Sequence, residues 1–202
     1  DIYSASGAFL RSWGGKGSGA GKFLYPSRVA VSSTGTVYVA DTWDHTVAVL
    51  TGTGAEIKSI GGFGNANGKL RSPHGLALDA NDNPYVVDPG NFRISVFDKN
   101  GNFIRKWGSK GSGPGQFQGD MRGIAINKTK GWVYVVDGEG NKVSKFDLFG
   151  TFINKWGGAG HGDGEFADGG REATVDNDGN LWVADMPNYR VQKFGPSGAF
   201  LS

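Results

Sequence analysis

Short apolar runs separated by glycine-rich turns dominate the chain, and they return in the same order four times. Four valine-rich runs alternate with the period of two expected of strands and end in aspartate. They are VYVAD at Asp41, YVVD at Asp88, VYVVD at Asp137 and LWVAD at Asp185, spaced 47, 49 and 48 residues apart. A second marker precedes each run: SWGG at Trp13, SIGG at Ile60, KWGS at Trp107 and KWGG at Trp156. Between the markers lies a glycine loop closing on a large apolar side chain: GSGAGKF (17–23), GNANGKL (64–70), GSGPGQF (111–117) and GHGDGEF (160–166). Within one period the pattern predicts four strands, at 28–31, 36–41, 46–50 and 56–61, each bounded by Gly, Asn, Asp or Ser. DANDN (79–83), DKNGN (98–102) and DNDGN (176–180) supply hairpin turns, because Asp and Asn bond their own backbone and Gly accepts positive φ. No window carries the 3.6-residue apolar stripe of a helix. The chain is predicted to be all-β.

A four-stranded sheet of this size buries its two faces only against neighbours, so repeated sheets must stack around an axis. The expected fold class is an all-β β-propeller of four-stranded antiparallel blades. It forms one domain over 1–202, with repeats at about 9–56, 57–102, 103–151 and 152–199; residues 1–8 finish a preceding blade. The segment SASGAFLRSWG (4–14) matches GPSGAFLS (195–202), so both ends fall in the same part of the repeat. Two arrangements follow. In a closed ring of four, FLRSW (9–13) completes the sheet made by 173–195; in a partial arc of a larger, six-bladed propeller, blade edges stay open. The arc is the expectation, and open edges invite self-association.

The order of markers resembles the NHL repeat: glycine loop, F-x-x-P, apolar strand, D-x-x-G turn, VAD strand, N-x-R, F-D-x-x-G. The second repeat matches best, with SPHGLALD (72–79), VVD (86–88), Asn91, Arg93 and VFDKNG (96–101). The fourth gives VADMPNYRVQKFGPSG (183–198), with Asn188 and Arg190. Asp44 and Thr46 depart from the pattern in the first repeat, as do Gly140 and Lys142 in the third. Pro26 and Pro73 have Met121 and Gly170 as counterparts. The resemblance implies a propeller, usually six-bladed, and leans to a secreted or cell-surface protein, although nothing in the sequence fixes the compartment. Because an aspartate ends the second strand of every repeat, the four read as blade-folding devices. Each is expected to accept backbone N–H groups and an Arg fork. Trp13, Trp107 and Trp156, with Ile60 in the same slot, read as packing anchors between blades.

Composition narrows the function. Glycine supplies 36 of 202 residues, but six Trp and thirteen Phe are too many for a disordered chain. The 21 basic residues nearly balance the 19 acidic ones, so net charge argues for no polyanionic partner. Without cysteine there are no disulfides, thiolate zinc sites or cysteine nucleophiles. No apolar run approaches the roughly 20 residues of a membrane helix, and no membrane insertion is expected.

Propellers bind ligands at a channel mouth, through the loops gathered there. These are the inter-blade loops 14–28, 61–75, 108–123 and 157–172 and the middle loops 42–45, 89–92, 138–141 and 186–189. One equivalent position carries Ser27, His74, Arg122 and Arg171, and the next carries Arg28, Gly75, Gly123 and Glu172. Trp43, Phe92 and Tyr189 place aromatic rings in or beside the middle loops, where His45 also lies. The predicted ligand face is therefore Trp43, His45, His74, Phe92, Arg122, Arg171 and Tyr189. Its expected role is non-catalytic binding or scaffolding toward a protein, peptide or glycan. PHGLALD (73–79) also resembles a zinc-binding segment of the peptidyl-hydroxyglycine amidating lyases, whose propellers hold the metal with three His from alternate blades. Only His74 matches, and Arg171 stands two blades along. No catalytic residue, metal or cofactor is assigned on this reading; the alternative is a lyase of that type with its metal site completed outside this chain. RNA binding is a third reading. Lys16, Lys22, Arg28, Lys69 and Arg71 make one side of the mouth basic, whereas Asp163, Glu165, Asp168 and Glu172 make the other acidic, which does not favour nucleic acid. His161, Asp163 and Glu165 read as a solvated loop. DNDGN has Pro187 where a calcium loop needs its glutamate. GKGSGAGKF (15–23) has Lys16 at the first glycine of a phosphate loop and Phe23 at its Ser or Thr.

Overall fold

The structure, a computed structural model, describes residues 1–167 and 171–202. A short hairpin of β1 (Ile2–Tyr3) and β2 (Phe9–Arg11) leads into four consecutive antiparallel sheets. Blade one is β3 (Pro26–Val31), β4 (Val37–Asp41), β5 (Thr46–Leu50) and β6 (Glu56–Gly61). Blade two is β7 (Leu76–Leu78), β8 (Pro84–Asp88), β9 (Arg93–Phe97) and β10 (Phe103–Trp107). Blade three is β11 (Met121–Asn127), β12 (Trp132–Asp137), β13 (Lys142–Asp147) and β14 (Phe152–Gly157). Blade four is β15 (Ala173–Val175), β16 (Leu181–Asp185) and β17 (Arg190–Phe194). The sheets stand around one axis as propeller blades, and β3, β7, β11 and β15 line the central channel.

The outer edge of blade four is taken by residues 200–202. Leu201 N–H donates to Lys193 O at 2.9 Å, and Lys193 N–H donates to Ser202 O at 2.7 Å. That edge is therefore occupied, and the 9–13 segment does not complete this sheet. Instead β2 pairs with β1, and Trp13 packs with Phe23 against blade one.

Alternation along β4, β8 and β12 sends one set of side chains toward the preceding blade and the other toward the next. Tyr38, Ala40, Val47 and Val49 meet Leu76, Leu78 and Val86 of blade two. Tyr85, Val87, Ile94 and Val96 meet Ile124, Val133 and Val135 of blade three. Tyr134, Val136 and Val143 meet Ala173, Leu181 and Val183 of blade four. Because both faces are buried, these strands read as continuous apolar runs. Among the described residues no such cluster joins blade four to blade one. Val191 is 60% exposed there, although its equivalents Val47, Ile94 and Val143 are fully buried. Val29 and Val31 of β3 are exposed as well, where blade two buries Leu76 and Leu78.

The predicted anchors form a repeated joint. Trp13, Ile60, Trp107 and Trp156 lie against Gly54, Gly101, Gly150 and Gly198, in the outer hairpin of the following blade. Each glycine has positive φ, and any side chain there would collide with the ring or branch above it. Tyrosines add a second tie: Tyr38 OH donates to Lys99 O at 3.4 Å and Tyr85 OH to Leu148 O at 3.1 Å, both in the next blade's turn. In blade three, Lys145 Nζ takes the corresponding carbonyl, Pro196 O, at 2.8 Å.

Candidate functional site

Strand alternation and chain direction bring the middle loops and the inter-blade loops to the same end of every blade. The strand-end aspartates fasten them together. Asp41 accepts the N–H groups of Leu24 and Tyr25, both at 2.7 Å; Asp88 accepts Arg71 N–H at 2.7 Å. Asp137 accepts Gln118 N–H at 2.8 Å and Gly119 N–H at 3.1 Å. In blade two, Arg93 adds a fork: Nε donates to Asp88 at 2.8 Å, and its terminal nitrogens donate to the carbonyls of Asn65, Ala66 and Lys69. Arg190 does the same in blade four, through Asp185 and the carbonyls of Gly162 and Glu165. Burial pushes the Asp88 carboxyl above the ordinary carboxylate range, against the pull of Asn91, the Arg71 N–H and Arg93. Both carboxylate oxygens of Asp41, Asp88 and Asp137 are bonded within the fold, whereas Asp185 uses Oδ2 for Asn188, Arg190 and Gln192 and its Oδ1 has no partner among the described residues.

One position in each middle loop has left-handed backbone: His45, Phe92, Asn141 and Tyr189, with φ between 51° and 58°. Non-glycine residues reach this region at a cost. Phe92 and Tyr189 each follow a single 3-10 turn, Pro89–Asn91 and Met186–Asn188. Tyr189 is 96% exposed. Phe92 has Lys110 Nζ 5.2 Å from its ring centroid. His45 accepts Ser72 N–H on Nδ1 at 2.9 Å, and its ring lies 5.0 Å from that of Phe63, itself 67% exposed. Trp43, 61% exposed, stacks on Tyr25 at 4.9 Å. Tyr25 and Phe63 lie in the inter-blade loops 14–28 and 61–75 but were not on the predicted face, which drew its aromatic rings from the middle loops. Their only signal is an aromatic residue beside the glycine-loop repeat.

At the channel mouth the structure brings His74, Arg122 and Arg171 together; Trp43, His45, Phe92 and Tyr189 stay over their own blades. Arg122 Nε pairs with Asp120 Oδ1 at 2.7 Å, and Arg171 pairs with the other oxygen of Asp120, tying blade three to blade four. Arg28 reaches Glu172 at 2.8 Å, from blade one to blade four. Ser27 OH donates to His74 O at 3.1 Å. Burial, then the Arg122 charge, holds the His74 imidazole below its ordinary value, with Arg171 and Arg28 adding to the effect and Asp120 opposing it. Burial raises the Glu172 carboxyl, opposed by Arg28 and Arg122. A cleft of about 660 Å³ opens here, lined in part by Asp120, Arg122, Glu139 and Arg171. Asp120, absent from the predicted face, is the residue that organises it.

His161 Nδ1 lies 2.5 Å from Asn188 Oδ1, and Glu165 accepts Gly162 N–H, so that acidic loop is held by the blade. Asp168 and Gly170 lie outside the described residues. Asp176 caps its own turn, accepting Asn180 N–H at 2.8 Å and Trp182 Nε1–H at 2.9 Å. Among the described residues no three His, Asp or Glu side chains gather at metal-binding distance.

Blades of four antiparallel strands around a channel define a β-propeller. The NHL repeat model matches residues 23–50 and the 6-bladed beta-propeller family model matches 69–155; the chain has a β-propeller fold and carries an NHL repeat in its first blade. Solved structures agree on the fold. A virginiamycin B lyase from Staphylococcus aureus, determined with quinupristin, is 15% identical with a TM-score of 0.67, over 87% of this chain and 54% of that one. Hydrazine synthase of Kuenenia stuttgartiensis is 16% identical with a TM-score of 0.66, over 89% and 49%. A Bacteroides thetaiotaomicron protein of unknown function is 20% identical with a TM-score of 0.63, over 89% and 43%. The chain thus spans about half the length of these structures. No curated protein matches it in sequence.

Proposed function

We propose that this propeller is a non-catalytic binding or scaffold module whose loop-bearing end recognises a protein, peptide or glycan. The observation that carries the reading is the set of exposed aromatic rings at that end: the Tyr25–Trp43 stack, Phe63 and Tyr189, with half-buried Phe92 beside them. Exposed rings anchor partners and stack on sugars. Tyr189 strengthens the case, because its left-handed backbone costs roughly 1–3 kcal/mol and its side chain covers almost nothing within the chain.

The test is a peptide-display selection and a glycan array, run with the wild type and with the Trp43→Ala/Tyr189→Ala double variant. Ligands of the wild type should lose at least about tenfold in affinity, equivalent to 1.4 kcal/mol. Ligands held equally by both proteins, at any other surface, overturn the proposal.

A lyase with its metal completed outside this chain is the second reading, supported by the likeness to virginiamycin B lyase. The cations around His74 work against a metal there. Stoichiometric zinc in the purified protein, lost in His74→Ala, would reverse the preference.

A further inference from the structure

We propose that the channel mouth is a binding site for a small oxyanion, a carboxylate or phosphate group received by Arg122, Arg171 and His74. The inference rests on the reading of this end as a ligand face and gives one part of it a chemistry.

Three guanidinium groups converge at the mouth from three blades: Arg28, Arg122 and Arg171. Asp120 and Glu172 face them, while Glu139 sits exposed on the rim of the cleft. A guanidinium carries five N–H donors in a planar fork suited to carboxylate and phosphate, and the ion pairs leave most of them unused. Asp120 already demonstrates the match, since its two oxygens bridge the guanidinium groups of adjacent blades.

Unmet hydrogen-bonding capacity is concentrated here. Among the described residues Arg171 Nε and His74 Nδ1 are buried without a partner, and Glu172 Oε2 meets Arg28 as an ion pair without hydrogen-bond alignment. A buried polar atom left unpaired is destabilising, so a ligand that pairs it is favoured. Arg171 Nε can only donate, and a neutral imidazole donates from one nitrogen. A ligand rich in acceptors and poor in donors satisfies both. Burial and then the cations Arg122, Arg171 and Arg28 lower the His74 imidazole, and those same cations make a field that favours a negative charge beside it, against Asp120.

The experiment titrates the full chain with inorganic phosphate and, separately, with acetate, by calorimetry and by NMR of the His74 imidazole. One saturable site is expected, with the His74 titration moving to higher pH when the anion is bound. Stronger binding of phosphate identifies a phosphoryl ligand; stronger binding of acetate identifies a carboxylate. Arg122→Gln should weaken binding at least about tenfold. Arg171→Lys, which keeps the charge and loses the fork, should weaken it less, and Arg105→Gln, away from the mouth, should leave it unchanged. No saturable response to either anion, or an undiminished response in both Arg122→Gln and Arg171→Lys, overturns the site. The aromatic face is tested by its own ligands and variants, so either proposal can fail alone.

Discussion

In blade two, Arg93 grips the glycine loop 64–70 through three carbonyls and locks to a fully buried Asp88. In blade three the equivalent residue is Lys142, which donates to Gln118 Oε1 at 2.9 Å, and the loop 111–117 is tightened instead by Gln116 accepting Gly113 N–H. Both loops nevertheless close with the same parallel bridge, Phe63↔Leu70 and Lys110↔Phe117, and blades one and four repeat it. The shared parts are the strand-end aspartate, the positive-φ glycines and the buried Leu70 or Phe117. Loop shape therefore comes from backbone and burial; the arginine clamp reinforces a conformation that forms without it.

That contrast can be broken by substitution. Arg93→Ala leaves the Asp88 carboxylate buried and short of a countercharge, and should cost about 3–5 kcal/mol in urea unfolding. Adding Asp88→Asn should recover part of the loss; no recovery would mean that the carbonyl contacts, rather than the charge, carry the clamp. Arg190→Ala should cost less, about 1.5–3 kcal/mol, because Arg190 is more exposed and Gln192 still bonds Asp185 and the Glu165 carbonyl. Lys142→Ala should stay within about 1 kcal/mol. A loss as large as that of Arg93→Ala would abolish the distinction between the blades. Tyr189→Gly should shift stability by less than about 1 kcal/mol in thermal unfolding, because relief of the left-handed backbone is offset by the greater unfolded-chain entropy of glycine, while ligands of the aromatic face are lost.

Acid sharpens the comparison on carboxylates. Asp98 is held below the ordinary range by Asn102 and neighbouring backbone N–H groups, so its stabilisation is present above its unfolded value and fades as pH falls. Asp88 is raised by burial, so its contribution has the opposite sign: it is full in acid and declines as pH rises through the folded value. Asp98→Asn should flatten the acid side of the stability profile. A steeper profile would refute its assignment as a turn cap.

Much of this was legible in the sequence because it is local. The strands β5 and β6 coincide with the runs read at 46–50 and 56–61, since alternation and turn residues suffice to bound them. The packing anchors Trp13, Ile60, Trp107 and Trp156 followed from their constant spacing, whereas the hairpin glycines they meet are seen only in the structure. The site was less legible. Trp43 could be read as a loop aromatic, but its stacking on Tyr25 joins a residue just before β3 to one just after β4, which only the antiparallel pairing of these strands brings together. Asp120 is not on the predicted face; only the ring of blades places it between Arg122 and Arg171. The match between residues 4–14 and 195–202 was real, yet it could not say which of two equal segments would take the edge of β17.

The joint of Trp13, Ile60, Trp107 and Trp156 with the glycines of the next hairpin has a consequence for how such chains grow. Blades one to three each carry a peg on the last strand and a socket in the turn before it, so a duplicate of any of them arrives already matched to both neighbours. Blade number is then free to change by copying or losing whole units, without compensating substitutions at the seams.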